Sequence, residues 1–249
     1  MNLHERMKRY EAVSQTYLMR RTPVIIRLDG VCFHTFTKDF DRPFDDVFGT
    51  AMRGTTLHLV NNIQGCVLGY TQSDEISLVL QDYKKLDTDA WFGYNVQKLV
   101  SVSAKIATAE FNRLFNQYIS ILPAETSGRY HEAILENVGF DSRCFNLPFE
   151  EVTNYLIDRQ QDAERNSINM LAQQYYCQKE LNGIKSNELQ NKLFTEQGVN
   201  WNDLSNYQKR GFLALPNNDP NLKDLFETPI FSKEPEFMNS LIRFDKEEN

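Results

Sequence analysis

The sequence predicts an α+β fold whose core is a ferredoxin-like β-α-β-β-α-β sheet. Three observations carry this: an apolar run cut off by Asp-Gly, two long stretches with apolar residues every three to four positions, and, between them, two β-rich runs joined by a polar turn. The first element, "PVIIRL" (23–28), is begun by Pro23 and stopped by Asp29-Gly30, and reads as a buried strand. From about 45 to 63, Phe48, Met52, Thr55, Leu59 and Ile63 mark one helix face, with Asp45 available as a cap. "GCVLGY" and "ISLVL" are two strands separated by "TQSDE", a hairpin by length and composition. Phe92, Val96, Leu99, Ser103, Ile106, Phe111 and Leu114 mark a second helix from about 89 to 118, and "FDSRCF" closes the pattern as a fourth strand.

The stretch before Pro23 reads as helical. After Pro148, "FEEVTNYLIDRQQDAERNSINMLAQQYY" carries Val152, Tyr155, Leu156, Ile168, Leu171 and Tyr175 at helical spacing. Beyond Lys179 the chain reads as short helices and turns, then loops marked by Pro216, Pro220, Pro229 and Pro235. Without an internal repeat or a low-complexity linker, a core of 1–148 and a helix-rich extension of 149–249 are expected to pack as one compact unit.

Composition sets limits. With 41% hydrophobic, 12% aromatic and 24% charged residues the chain resembles an ordinary globular enzyme. No run approaches the ~18 apolar residues of a membrane span, and "MNLHERMKRYEAVSQTYLMRRTP" lacks the apolar segment of a secretory signal, so a cytoplasmic protein without membrane contact is expected. Cys32, Cys66, Cys144 and Cys177 form no CxxC pair, which argues against zinc and against a disulfide framework. A net charge of −7 disfavours a broad basic surface, so a nucleic-acid partner would need a local basic patch.

In this topology the first and third strands are antiparallel neighbours, so Asp29 and Asp74 are expected to converge at one sheet edge. Two such carboxylates can bind a pair of Mg²⁺ ions, which at about 3.5–4 Å apart stabilise both the attacking and the leaving oxygen of phosphoryl transfer. Gly30 could lend its carbonyl. Side chains alternate along a strand, so Asp74 and Glu75 are expected on opposite faces, and Asp74 is assigned to the site of Asp29. Each motif also has an ordinary reading, since Asp-Gly is a turn signal and acids at hairpin tips are usually solvated. Turn chemistry alone does not require them to converge.

The segment from Gly30 to His34 offers backbone N–H groups, and His34, Lys38 and Arg42 follow in the same loop, a set suited to a triphosphate. His34 is equally readable as a packed loop histidine, Ser73 as a turn serine and Lys98 as a solvated helical lysine. These residues point to metal-dependent nucleotidyl transfer, or nucleotide cyclisation, on a palm-like core.

"VIIRLDGVCFHTF", "FDRPFDD", "GYTQSDEISLVL", "KLVSVSAKIA", "FDSRCFNLP" and "RQQDAERNSINMLAQ" resemble, in order, the motifs of the tRNA-His guanylyltransferase family and its 3′-to-5′ nucleotide-adding relatives. The likeness spans about 23 to 211. It implies a palm domain, two Mg²⁺ ions, GTP, ATP and other nucleoside triphosphates, the 5′ end of a tRNA as substrate, and a homotetramer. Carried over by position, the family's metal ligands fall on Asp29, the Gly30 carbonyl and Asp74, with Glu75 in the matching acidic position. Its triphosphate segment falls on Gly30, Val31, Cys32, Phe33 and His34, with Arg42, Ser73 and Lys98 at further matching positions.

The departures are instructive. Val31 and Cys32 stand where the eukaryotic enzymes carry Arg-Asn, so backbone donors must do more of the triphosphate binding. Glu164-Arg165-Asn166-Ser167 stands where those enzymes carry His-Ile-Asn-Asn, and Ser186 replaces a basic residue, with Lys185 one step earlier. Both losses fall where the RNA 5′ end is handled, which resembles the bacterial and archaeal relatives that repair truncated tRNA 5′ ends opposite a template. Templated repair is therefore expected, with addition of a single 5′ G as the alternative and a palm-type nucleotide cyclase as a further one. A non-catalytic RNA binder has no need of carboxylates facing a phosphodiester, which they repel. Arg159, Arg165, Lys185, Lys192, Lys209 and Arg210 are candidate RNA contacts, equally readable as solvated cations.

Overall fold

The computed structural model describes residues 1–136, 138–217 and 227–243. Its helices are α1 (Leu3–Ala12), α2 (Phe33–Phe36), α3 (Asp46–Asn62), α4 (Val96–Ser120), α5 (Ala124–Ser127), α6 (His131–Leu135), α7 (Phe149–Ala172), α8 (Gln178–Leu181), α9 (Ser186–Gln197), α10 (Asn206–Arg210) and α11 (Pro235–Ile242). The strands are β1 (Val24–Gly30), β2 (Cys66–Gln72), β3 (Glu75–Leu80), β4 (Phe140–Asn146) and β5 (Phe212–Ala214). They form one antiparallel sheet in the order β4-β1-β3-β2-β5, whose first four strands have the expected ferredoxin-like arrangement.

The unbroken apolar run of β1 follows from cover on both faces. Ile26 and Leu28 pack with Met52, Leu59 and Phe111 of α3 and α4, whereas Ile25 packs with Val152 and Leu156 of α7 and Leu241 and Ile242 of α11. Asp45 caps α3 as expected, accepting the Phe48 N–H at 2.8 Å. No helix among the described residues is long and apolar enough to cross a membrane.

Four expectations need correction. Only Leu3–Ala12 of the N-terminal stretch is helical; beyond it Leu18 N–H bonds to Tyr94 O at 3.0 Å and Met19 N–H to Asn146 Oδ1 at 2.8 Å, so the arm is held against the segment before α4 and the end of β4. The second long helix starts at Val96 rather than near 89, because Phe92, Gly93 and Tyr94 have positive φ, and Asn95 supplies the cap to Lys98 N–H at 3.1 Å. The first helix after Pro148 stops at Ala172, leaving Tyr175 exposed. The predicted terminal loops contain both β5, which pairs with β2, and α11, with Pro235 at its first position, where a missing N–H costs nothing. Pro220 lies outside the described residues.

Candidate active site

The hairpin turn between β2 and β3 is two residues long, Ser73 and Asp74, with Ser73 at φ 49°. It meets the end of β1, where Gly30 N–H donates to Asp74 O at 3.1 Å. Asp29 and Asp74 therefore do come together at the sheet edge.

The strand register adds what alternation could not supply. Asp29 lies opposite Glu75 on one side and opposite Asp141 on the other, so three acids form a row across β3, β1 and β4. Like charges directly opposite one another are destabilising unless compensated. Asp141 pairs with Arg143 at 3.0 Å, and Glu75 pairs with Arg27 at 2.5 Å and Arg159 at 3.5 Å. Asp29, in the middle, has no ion pair among the described residues.

Glu75, not Asp74, thus shares the face of Asp29, and Asp74 sits outside the ladder in the turn. What separates the two acids is pairing. Burial pushes the Glu75 carboxyl up while Arg27 and Arg159 pull it down. Burial also pushes the Asp74 carboxyl up and Asp29 adds to that, against its own N–H, the Ser73 hydroxyl and His34; no cation pairs with it among the described residues. Glu75→Ala is accordingly expected to cost about 2 kcal/mol in urea unfolding, since the Arg27 guanidinium loses its partner while Arg159 keeps Asp158 and Asp162. A loss below about 1 kcal/mol would show that the pairing does not hold the hairpin.

The oxygen donors at this edge suit a hard cation. No group of three His, Cys, Asp or Glu side chains able to hold a metal occurs among the described residues, but Mg²⁺ is commonly bound by one or two carboxylates plus water and substrate phosphates. Two carboxylates without an ion pair among the described residues, beside a backbone carbonyl, fit that chemistry. Gly30 is required sterically, because a Cβ there would lie 2.4 Å from Phe33 Cγ.

The phosphate segment is narrower than expected. Gly30 N–H is bonded to Asp74 O, and Val31 N–H to Gly139 O at 2.9 Å. The N–H groups of Cys32, Phe33 and His34, at the start of α2, have no acceptor among the described residues. Phe33 and Phe36 are buried and His34 turns outward, within 3.1 Å of Thr35 Oγ1. Arg42 reaches back to the carbonyls of Thr37 and Lys38 at 3.1 and 3.4 Å, and Lys38 pairs with Glu132 at 3.3 Å. Lys98 is not brought to this edge. Thr108 of α4 is level with the start of β4, where it binds Phe140 N–H at 3.0 Å, and α4 runs from there back to Lys98 at the opposite end of the sheet, where its ammonium lies 5.5 Å from the Phe92 ring centroid.

Beside Asp74 opens a cavity of about 290 Å³. Phe33, Phe40, Phe44, Phe48 and Gly49 line it from the core, and His34, Arg42, Ser73 and Asp74 line it as well. The remaining wall comes from the part after Pro148: Ala163, Asn166, Ser167 and Met170 of α7, Tyr207 and Gln208 of α10, and Gly211. Tyr207 escapes sequence reading. It packs so closely on α3 that a Cβ at Gly49 would lie 2.8 Å from its ring, and Arg53 lies 4.5 Å from its centroid. A glycine inside an amphipathic helix was the available signal.

A second hollow, of about 330 Å³, lies between α7 and α9 and brings together Glu164 and Ser186 with Asp158, Arg165 and Trp201. Glu164 pairs with Arg210 at 2.8 Å. Most of the candidate RNA-binding cations are engaged: Arg159 with Glu75, Asp158 and Asp162, Arg165 with Asp162, Lys192 over Tyr176, and Lys209 with Asn202 O at 2.7 Å.

A family model described as tRNAHis guanylyltransferase matches residues 4–148. An uncharacterized protein of Acanthamoeba polyphaga mimivirus is 29% identical over 226 residues, covering 84% of this chain and 75% of that protein. The tRNA(His) guanylyltransferase of Candida glabrata is 27% identical over 224 residues, covering 84% and 88%. Among solved structures, a bacterial tRNA(His) guanylyltransferase-like protein in complex with ATP has a TM-score of 0.85 and 41% identity, covering 98% of this chain and 100% of that one. A bacterial protein of the same description in complex with GTP has a TM-score of 0.79 and 38% identity, covering 97% and 99%.

Proposed function

The chain belongs to the tRNAHis guanylyltransferase family and is a nucleotidyltransferase, and from that premise we propose that it adds nucleotides to the 5′ end of tRNA in the 3′-to-5′ direction, as template-directed repair of truncated ends. The observation that carries this reading is the Asp29–Asp74 edge, without an ion pair among the described residues, beside a largely apolar cavity. Apolar walls suit a nucleobase, and the free N–H groups of Cys32 to His34, with His34, Arg42 and Ser73, suit its triphosphate. The complexes of the two bacterial relatives, with ATP and with GTP, support nucleoside triphosphates as substrates.

Asp29, the Gly30 carbonyl and Asp74 would hold Mg²⁺, which when bound lowers the cost of charge on the attacking and leaving oxygens. The chain's own part is positioning. The cavity orients the incoming nucleotide so that its 3′-hydroxyl meets the RNA 5′ phosphorus in line; a phosphodiester forms and the bond to pyrophosphate, or to AMP of an adenylylated end, breaks. The preference for repair over addition of a single G rests on Glu164, held by Arg210, where the single-G enzymes carry a histidine. A homotetramer in the cytoplasm belongs to the same proposal.

The test incubates the protein with Mg²⁺, all four nucleoside triphosphates and 5′-truncated tRNAs ending in mono- or triphosphate, and sequences the new 5′ ends. Extension that follows the opposing strand is expected. A lone G whatever the opposing base would favour single-G addition, and a cyclic nucleotide formed without RNA would favour the cyclase.

Thiol labelling checks the phosphate segment independently. Burial pushes the Cys66 thiol to about 12 and that of Cys144 to about 11, whereas Cys32 and Cys177 are exposed. Maleimide at neutral pH should therefore modify Cys32 and Cys177 and spare the other two. Added GTP with Mg²⁺ should protect Cys32 alone, read by peptide mass spectrometry; equal labelling with and without nucleotide would place the triphosphate elsewhere.

A further inference from the structure

Apart from Asp74, the acids on the cavity wall are already hydrogen-bonded or paired. Asp45 accepts hydrogen bonds from Phe48 N–H at 2.8 Å, Asp41 N–H at 3.1 Å and the Tyr130 hydroxyl at 2.7 Å, and Asp41 pairs with Arg129. Two polar neighbours on the far wall are engaged as well: Ser167 Oγ accepts the Trp201 indole N–H at 2.9 Å, and Gln208 Oε1 accepts Ser205 N–H at 3.1 Å. Asn166 differs. It is exposed on the same wall, makes no hydrogen bond among the described residues, and stands between apolar Ala163 and Met170 on one face of α7.

Resting on the reading that this cavity holds the incoming nucleotide, we propose that Asn166 meets the N7 edge of a purine base and admits adenine and guanine alike. Guanine presents two acceptors on that edge, N7 and O6, and adenine presents the N7 acceptor beside an amino donor. A carboxamide carries one acceptor oxygen and two N–H donors and can turn over about its bond to Cβ. Its N–H group serves N7 or O6 of guanine, and its N–H and oxygen together serve N7 and the amino group of adenine. The Watson–Crick edge is then left free for a template base, as templated addition requires. A fixed carboxylate or guanidinium would choose one purine; Asp41 and Asp45 are bonded elsewhere, and Asp74 and Arg42 are assigned to the metal and the triphosphate.

Calorimetric titration of the full-length protein with ATP, GTP and inorganic tripolyphosphate, each with Mg²⁺, tests this. The native protein should bind both nucleotides with similar affinity. Asn166→Asp leaves only acceptors facing the two acceptors of guanine, and is expected to shift the preference toward ATP by about tenfold, the discrimination of one good base-edge contact. Asn166→Leu should weaken both nucleotides alike. Tripolyphosphate binding should be the same in all three proteins, since it lacks the base. A preference unmoved in Asn166→Asp while both nucleotides still bind, or one moved toward GTP, overturns the assignment of Asn166 and leaves the cavity's role standing. Failure of the native protein to bind either nucleotide overturns the role of the cavity, and this assignment with it.

Discussion

Asp29→Asn is expected to abolish nucleotide addition and, in metal-free protein, to raise stability. The two effects have opposite signs because one carboxylate is both the centre of a like-charge row and a proposed metal ligand. Asp141 and Glu75 flank it across the strands, and neither of their arginines forms an ion pair with it among the described residues. Removing the middle charge relieves cross-strand repulsion worth about 0.5 kcal/mol, or about 1–2 °C in Tm for a chain of this size. The same change removes a charge placed to hold Mg²⁺, whose help to the transition state is worth several kcal/mol, so extension of a 5′-truncated tRNA should fall on the order of 10³-fold. Thermal unfolding in EDTA and single-turnover extension read the two halves separately. Retained extension would remove Asp29 from the chemistry; a lower Tm in EDTA would mean that its charge is compensated in the folded protein.

Gly211→Ala should lower stability by about 3 kcal/mol and weaken nucleotide binding with it, although Gly211 lies far along the chain from Asp29 and Asp74. Gly211 has φ 72° and ψ −164°, a conformation essentially confined to glycine. A Cβ there would lie 2.5 Å from the backbone oxygen of Thr71 and 2.7 Å from the Tyr70 hydroxyl, which itself donates to Arg210 O at 2.7 Å. The first obstacle is backbone and the second is the end of a side chain that is itself buried and hydrogen-bonded, so the strain must be relieved by moving α10 and β5 off the edge of β2. Tyr207 and Gln208, which wall the cavity, would move with them. Gly183→Ala is the control, since it too has positive φ, 81°, but a Cβ there meets nothing within 4 Å; backbone strain alone should cost about 1 kcal/mol. Equal losses in urea unfolding would show that the close approach to β2 contributes nothing.

Short-range regularities suffice for much of this protein. The alternating and three-to-four-residue spacings, the Asp-Gly stop after β1 and the Asp45 cap are local, and local geometry is enough to order β1, α3, β2, β3, α4 and β4 and to bring Asp29 beside the hairpin. Where competing local signals were weak, tertiary contacts decided. The arm after α1 follows bonds to Tyr94 and Asn146, and β5 is a three-residue strand that exists only because β2 had an open edge. The site divides the same way. That carboxylates gather at the end of β1 is legible in the chain; which of them remain without a counter-charge is not, because Arg159 reaches Glu75 from a helix that begins only after Pro148. Nor could periodicity show that Asn166 and Tyr207 would line one cavity with Phe48 and Asp74. Ion pairs and cavity walls are made by side chains distant in sequence, and their energies depend on separations that only the folded chain sets.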